Sequence, residues 1–278
     1  MANRKTFKPK PPSPIPHPRL ENPNEPFRLN KYIAHAGHCS RRDADLLIQE
    51  GRVQVNGQRI TEMGLKVTLQ DVVTVNGERL ELEPHIYILL NKGRNTISTT
   101  HDEKGRHTVL DAIEESTGYR VYPVGRLDRN TTGLLLLTND GDLANRLMHP
   151  SHKVKKTYEA SCSRMLTDQE LQQLRLGVKL EDGMAKALSV KRSTTDLLGV
   201  VLTVQEGRNH LIRRMVAYFD AEVLQLKRTR YGGLTSHELR MGRWRFLREE
   251  EVEELKRLTG MAVEKPTEKR IQSRIRKR

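Results

Sequence analysis

The sequence predicts an α+β protein in which a small module of two helices and short strands precedes a larger domain of alternating strands and helices. Three observations carry this. Between Phe27 and Leu80, apolar residues at helical spacing stand in front of two Asn-Gly turns. The run Leu134-Leu-Leu-Leu137, behind a glycine-bounded polar loop, reads as a strand buried on both faces. A chain of 278 residues also has ample core for one large domain or two modest ones.

Taken in order, residues 1–26 hold most of the prolines, with Arg4, Lys5, Lys8, Lys10 and Arg19 among them. Such a segment buries too little apolar surface to offset its ordering entropy, so a disordered tail is expected, either a solvated leader or an electrostatic arm. From Phe27 the pattern changes. Leu29, Tyr32 and Ile33 repeat at helical spacing up to Gly37. Ser40 with Asp43 makes a capping box for a second helix, which buries Ala44, Leu47 and Ile48 and stops at Gly51. Arg41 and Arg42 then sit in the first turn, against the helix dipole, which suggests an anion nearby or a solvated turn. Val53-Gln-Val-Asn-Gly-Gln-Arg-Ile60 is echoed by Val73-Thr-Val-Asn-Gly-Glu-Arg-Leu80, two hairpins with the strongest short turn signal.

Glu81–His85 reads as a linker and Ile86–Asn91 as the first strand of the larger domain, with domain limits expected at 27–83 and 84–260. A capped helix is expected from Thr108 to Thr117, then a strand at Tyr119–Val124. Past the leucine run, Asp142 is read as the cap of a helix through Met148. Val154–Ala160 alternates as a strand, and Thr167 with Glu170 caps a helix ending at Gly177. Strands follow at Ala185–Val190 and Val200–Gln205. Next comes a helix with Ile212, Met215, Val216 and Phe219 on one face, Arg213 at its flank and Arg214 opposite. Ala221–Tyr231 is a long strand and Arg248–Leu258 a charged helix. A second disordered basic tail is expected over 261–278.

Composition narrows the function. Lys and Arg number 49 against 35 Asp and Glu, a net charge of +14, which points to a polyanionic partner, nucleic acid before others. Aromatic residues make up only 4%, so charge and shape, rather than base stacking, are expected to bind it. Cys39 and Cys162 lack zinc spacing and read as reduced thiols of a cytoplasmic protein. No apolar run is long enough for a signal peptide or a membrane span.

The chemistry concentrates in Gly125-Arg-Leu-Asp-Arg-Asn-Thr-Thr-Gly133. Asp128, between Arg126 and Arg129, is expected to stay ionised as a nucleophile or base. A loop aspartate more often pairs at the surface or caps a turn. The loop lacks the Gly-Lys-Ser/Thr ending of a P-loop. A second carboxylate for glycosidase chemistry is also missing, since Asp140 and Asp142 lie beyond the strand.

This loop, the leucine run and Thr138-Asn-Asp-Gly141 resemble the signature of the RNA pseudouridine synthases, specifically the RsuA/RluB/RluE/RluF group, RluB-type enzymes above all. The resemblance runs from about Phe27 to Leu258. It implies a catalytic domain with a mixed, mainly antiparallel sheet flanked by helices. It makes Asp128 the catalytic aspartate and Tyr158, in Lys156-Thr-Tyr-Glu159, the residue that packs on the target base. Arg213 becomes the basic partner of Asp128, whereas Arg214 stays a solvated or RNA-facing charge, and His210 has no partner in view. Asn91-Lys92-Gly93 departs from the family's Asn-Lys-Pro. The N-terminal module resembles the alpha-L RNA-binding fold first described in small-subunit ribosomal protein four, which makes Arg28, Lys31, Arg41, Arg42 and Arg52 candidate phosphate contacts. Arg126, Arg129, Lys156 and Arg214 are further RNA-binding candidates in the second domain.

The implied function is isomerisation of uridine to pseudouridine in ribosomal RNA, expected in the large subunit, by a monomer that needs no cofactor or metal and acts on the RNA or an assembly intermediate. Asp128 has three possible parts: attack on the sugar, addition to the ring, or removal of a sugar proton. Small-subunit RNA is the alternative substrate. A non-catalytic assembly factor would share the charge but has no need of Asp128, Tyr158 and Arg213. An N-glycosidase would break the same bond and release uracil.

Overall fold

The computed structural model describes residues 26–262, except 101, 112, 114–116 and 238. In the N-terminal module, β1 (Phe27–Arg28) leads into α1 (Leu29–His35), which buries Leu29, Tyr32 and Ile33. Ser40 caps α2 (Arg41–Gln49) through the complete box with Asp43, and Ala44 and Ile48 are buried, with Leu47 partly so. Strands β2 (Val53–Val55) and β3 (Gln58–Ile60) form one hairpin. After β4 (Lys66–Val67), which pairs with β1, β5 (Val73–Val75) and β6 (Glu78–Arg79) form the other. Asn56 and Gly57 take φ of 52° and 81°, and Asn76 and Gly77 52° and 86°, the left-handed pair that a twisted two-residue turn requires. The hairpins join as β3-β2-β5-β6.

The larger domain is built on one nine-stranded sheet. Its first strands in chain order are β7 (Tyr87–Lys92), β8 (Tyr122–Pro123) and β9 (Thr132–Thr138). Helix α3 (Gly141–Met148), strand β10 (Lys156–Cys162) and helix α4 (Asp168–Leu176) follow. A separate hairpin, β11 (Val178–Leu180) with β12 (Gly183–Ala185), precedes β13 (Ser189–Arg192) and β14 (Gly199–Val204). Then come α5 (Leu211–Ala217), β15 (Val223–Tyr231), β16 (Leu234–Thr235), β17 (Trp244–Phe246) and α6 (Glu249–Leu258). The order is β13-β14-β10-β15-β9-β7-β17, with β8 beside β9 and β16 beside β15. Every pairing in this sheet is antiparallel except β9 with β15. Alternate leucines of β9 feed opposite cores: Leu134 and Leu136 pack with Tyr87 and Leu89, Leu135 and Leu137 with Ile88 and Leu90.

Four local expectations change. The strand read at Ala185–Val190 is two pieces, because Gly183–Ala185 folds back on Val178–Leu180 and only Ser189 onward joins the main sheet. The strand at Tyr119–Val124 shrinks to Tyr122–Pro123. Asp140, not Asp142, caps α3, accepting from the Leu143 nitrogen at 3.0 Å. Of the helix read at Thr108–Thr117, Asp111, Ile113 and Thr117 are helical, and the rest of its later half lies outside the described residues. The two expected tails also lie outside them, apart from Pro26, Met261 and Ala262; Met261 packs, partly buried, on the core.

A polar seam joins the module to the sheet. Lys31 meets Asp142 at 2.6 Å, and Arg120 donates to the Cys39 carbonyl at 2.5 Å. Asn139 accepts from the Ile86 nitrogen at 2.7 Å and donates to the Pro84 carbonyl at 3.0 Å, which fixes the linker. Buried Asp140 accepts from Tyr87 at 2.7 Å. Within the seam, the rings of His35 and His85 stand edge to face at 6.2 Å. Burial, then the charge of Lys31, lowers the His35 imidazole to about 4. The folded state thus binds fewer protons than the unfolded chain between pH 6.5 and 4, and stability falls as the pH drops through that window. Denaturant titrations of the wild type are expected to lose about 2 kcal/mol between pH 7.5 and 5 from this group. His35→Phe is expected to remove that part; an unchanged pH dependence would contradict the assignment.

Candidate active site

The loop before β9 is built to hold one carboxylate in place. Gly125 enters it at φ 75°. Ser98 grips the backbone of Leu127 at both ends, donating to its carbonyl at 2.9 Å and accepting from its nitrogen at 3.2 Å. Lys92, with no exposed surface, reaches under the loop. Its ammonium donates to the carbonyls of Gly93, Thr96 and Arg129 at 2.9, 2.9 and 3.1 Å, so all three protons are used. Burial lowers it to about 8, with the opposing pull of Asp128, and the three acceptors hold the charged form at neutral pH. The lysine of the expected Asn-Lys-Pro segment therefore works without the proline. Thr131 closes the turn onto the Asp128 carbonyl at 3.0 Å.

Where the chain leaves the loop, Gly133 lies at φ 104° against Arg228 of β15. A Cβ there would sit 2.7 Å from the Arg228 nitrogen and closer still to its carbonyl oxygen. The parallel pairing of β9 with β15 depends on that missing carbon. Since Arg228 pairs in turn with Tyr158 of β10, Gly133, Arg228 and Tyr158 stand on three adjacent strands.

These elements enclose a cleft of about 790 Å³ lined by Asp128, Arg126, Tyr158, Lys156, Arg208 and His210 among others. Arg213 Nε stands 3.9 Å from Asp128 Oδ2, and its Nη1 donates to the Val223 carbonyl at 2.6 Å, which anchors it to β15. His210 Nε2 lies 3.5 Å from Asp128 Oδ1. This is a correction: no spacing in the sequence gave His210 a partner, yet the left-handed turn before α5, φ 50° at His210, swings it to the carboxylate. The expected flanking guanidiniums are placed otherwise. Arg129 donates to Asn95 at 2.7 Å and Arg126 lies exposed at the cleft. Asp140, at the far end of β9, is buried in the seam and absent from the cleft lining.

Of the other sequence candidates, Lys156 lines the cleft, while Arg214 is held by Asp182 at 2.9 Å. Arg28, Arg41, Arg42 and Arg52 are exposed on the N-terminal module, Arg52 pairing with Glu50 at 3.1 Å; Lys31 is taken up by Asp142. Arg208 had no sequence signal. It meets Glu206 at 2.6 Å and Asp182 at 2.7 Å, tying the cleft loop to the tip of the β11–β12 hairpin.

Comparison with known proteins decides the family. Residues 86–218 match the family described as RNA pseudouridylate synthase, and residues 27–73 match the S4 domain. The chain is 46% identical over 237 residues to the ribosomal large subunit pseudouridine synthase B of Bacillus subtilis (strain 168), a match spanning 83% of this chain and 96% of that one. The chain belongs to the RNA pseudouridine synthases of the RsuA/RluB group. Within that family, the dual-specificity RNA pseudouridine synthase RluF of Escherichia coli O157:H7 is 37% identical over 239 residues, covering 85% of this synthase and 80% of RluF. A crystal structure of a pseudouridylate synthase superposes with a TM-score of 0.59 at 27% identity, covering 82% of this chain and 99% of that one. The architecture is accordingly an S4 domain followed by a pseudouridine synthase fold, as the resemblance implied.

Gly133 supplies the test of this geometry. Gly133→Ala is expected to destabilise the synthase by about 3 kcal/mol or more, because both φ and the Arg228 backbone oppose a side chain. Urea denaturation measures it; a loss below about 1 kcal/mol would show that β9 and β15 can part without cost.

Proposed function

We propose that this chain isomerises uridine to pseudouridine in ribosomal RNA of the large subunit, with Asp128 as the catalytic carboxylate. The observation that carries the reading is that Asp128 and Tyr158 line one cleft, with Arg213 behind Asp128 at 3.9 Å. The bond from ribose C1′ to uracil N1 breaks, the base turns over, and C1′ bonds to C5. The C5 proton is lost and N1 takes one up, so the reaction consumes nothing. Asp128 supplies the group that acts at the sugar or the ring. Tyr158, on the strand floor, carries the face of the base, and Arg213 of α5, anchored to the Val223 carbonyl of β15, holds Asp128.

The uridine must be extruded first, at a cost of a few kcal/mol. Exposed Arg126 at the cleft is placed to occupy the space it leaves, and the arginines of the S4 domain supply phosphate contacts that position the RNA without reading its sequence. The name of the Bacillus subtilis relative supports the large subunit as the substrate. We place the domain boundary between residues 83 and 84. We read the protein as a monomer. Among the described residues no helix is long and apolar enough to cross a membrane, and a cytoplasmic enzyme fits the substrate.

Mapping pseudouridine across ribosomal RNA in cells with and without the protein tests the function. One lost site in the large subunit is the expected result; none in either subunit would leave an assembly factor, and released uracil an N-glycosidase. Asp128→Asn is expected to abolish isomerisation while RNA affinity stays within about three-fold, since the amide keeps the shape but is a poor nucleophile and base. Wild-type turnover by this variant would remove Asp128 from the chemistry.

The Asp128–Arg213 pair is 39% and 29% exposed in the free protein, so it contributes only about 1 kcal/mol or less to stability. Its effect grows once RNA excludes water. Arg213→Ala is expected to lower kcat by roughly 100-fold with a small change in KM, and Arg213→Lys to recover part of that. Steady-state kinetics check this; a change confined to KM would make Arg213 a binding residue alone.

A further inference from the structure

The floor of the cleft carries two cations that the proposed chemistry does not use. Arg228 is 2% exposed, and its Nε donates to the Leu134 carbonyl at 2.7 Å. Its guanidinium lies over the Tyr231 ring, 4.8 Å from the centroid. Nη2, however, is buried with no acceptor among the described residues. Leaving such a donor unpaired in the protein interior is costly, and the cost is recovered only by a ligand that brings an acceptor.

Lys156 stands beside it. Its Nζ donates to the carbonyls of Val154 and Gln205 at 3.1 and 3.3 Å, and lies 5.9 Å from the same Tyr231 ring. No carboxylate of the cleft answers either charge. Asp128 is engaged by His210 and Arg213, and Glu206 by Arg208. Burial, and after it the neighbouring Arg228 charge, lowers the Lys156 ammonium to about 8.

We propose that Arg228 and Lys156 form a subsite for a phosphodiester oxygen of the substrate, the phosphate that flanks the target uridine. The subsite rests on the reading of this cleft as the place where the uridine is received. Lys156 is two residues before Tyr158 on β10, so both project from the same face about 6.6 Å apart along the strand. Arg228 is the cross-strand partner of Tyr158. A nucleotide whose base lies on Tyr158 brings its own backbone to this corner. A carbonyl of the base would satisfy one donor and leave both charges uncompensated, whereas a phosphodiester offers two oxygens and a full negative charge. The subsite would therefore grip the extruded nucleotide by the part that does not change during isomerisation, leaving the base free to turn.

The test uses the full chain and an RNA hairpin carrying the uridine found by the mapping experiment, synthesised with its natural backbone or with a neutral methylphosphonate on the 5′ or the 3′ side of that uridine. With wild-type protein, one of the two methylphosphonates is expected to lower kcat/KM by about 10- to 100-fold. Lys156→Met is expected to lose a similar factor on natural RNA and to lose almost nothing further on that methylphosphonate, while Lys156→Arg recovers most of the loss. Arg228→Gln is expected to behave as Lys156→Met does where its melting curve shows it folded; the lysine variants decide the matter if it is not. Full, independent losses from the Lys156→Met change and the methylphosphonate, or no effect of either methylphosphonate on an active wild type, would overturn the subsite. A wild type that makes no pseudouridine in the natural hairpin would instead overturn the functional reading, and the subsite with it.

Discussion

The close approach of Gly133 to the backbone of Arg228 sets the position of almost everything in the catalytic half. It allows β9 to run parallel to β15 in a sheet that is otherwise antiparallel, and parallel neighbours cannot be joined by a short turn. The chain between them has to travel through α3, β10, the β11–β12 hairpin, β14 and α5 before it returns. That excursion delivers Tyr158, His210 and Arg213 to the same end of the sheet as the Asp128 loop. Ligand sites commonly form where strand order forces such a detour, because neighbouring loops part there and leave a crevice.

The electrostatics of the crevice follow from its walls. Carboxylates are few, and each is answered by a nearby cation: Asp128 by Arg213 of α5, Glu206 by Arg208 of its own loop. Of the remaining positive groups, Lys156 and Arg228 sit on β10 and β15, and Arg126 on the loop before β9. Arg208 and Arg214 share Asp182, so the hairpin tip and the cleft loop are held by one carboxylate. These ion pairs are partly exposed and individually weak, but together they restrict the loop that carries His210.

Much of this was legible in the residues. Ser40 with Asp43 and Thr167 with Glu170 form their capping boxes, and the two Asn-Gly pairs form their turns, because each signal acts within four residues and needs no tertiary partner. The four leucines announced a strand buried on both faces. What sequence could not give were contacts set by long-range geometry. Nothing in the sequence marks Lys92 for burial, yet it is entirely buried, its acceptors coming from two separate loops. His210 and Arg208 acquire partners only when α5 and the hairpin meet the cleft. The cap of α3 fell to Asp140 because Asp142 is drawn to Lys31, a residue more than a hundred positions away.

The leucine run of β9 has one more property. In most strands a slip of one position is forbidden because it would turn polar side chains inward. Leu134, Leu135, Leu136 and Leu137 are identical, and both faces they serve are apolar, so sliding the strand by one residue would exchange leucine for leucine. Alignment must come from the ends. At one end only glycine fits against Arg228; at the other, Thr138 donates to the Ile86 carbonyl at 2.6 Å and Asn139 takes the Ile86 nitrogen. The strand behaves like a smooth rod held between two stops. Asp128, a few residues outside the first stop, owes its depth in the crevice to those polar and steric fixtures and not to the greasy stretch that makes the motif conspicuous.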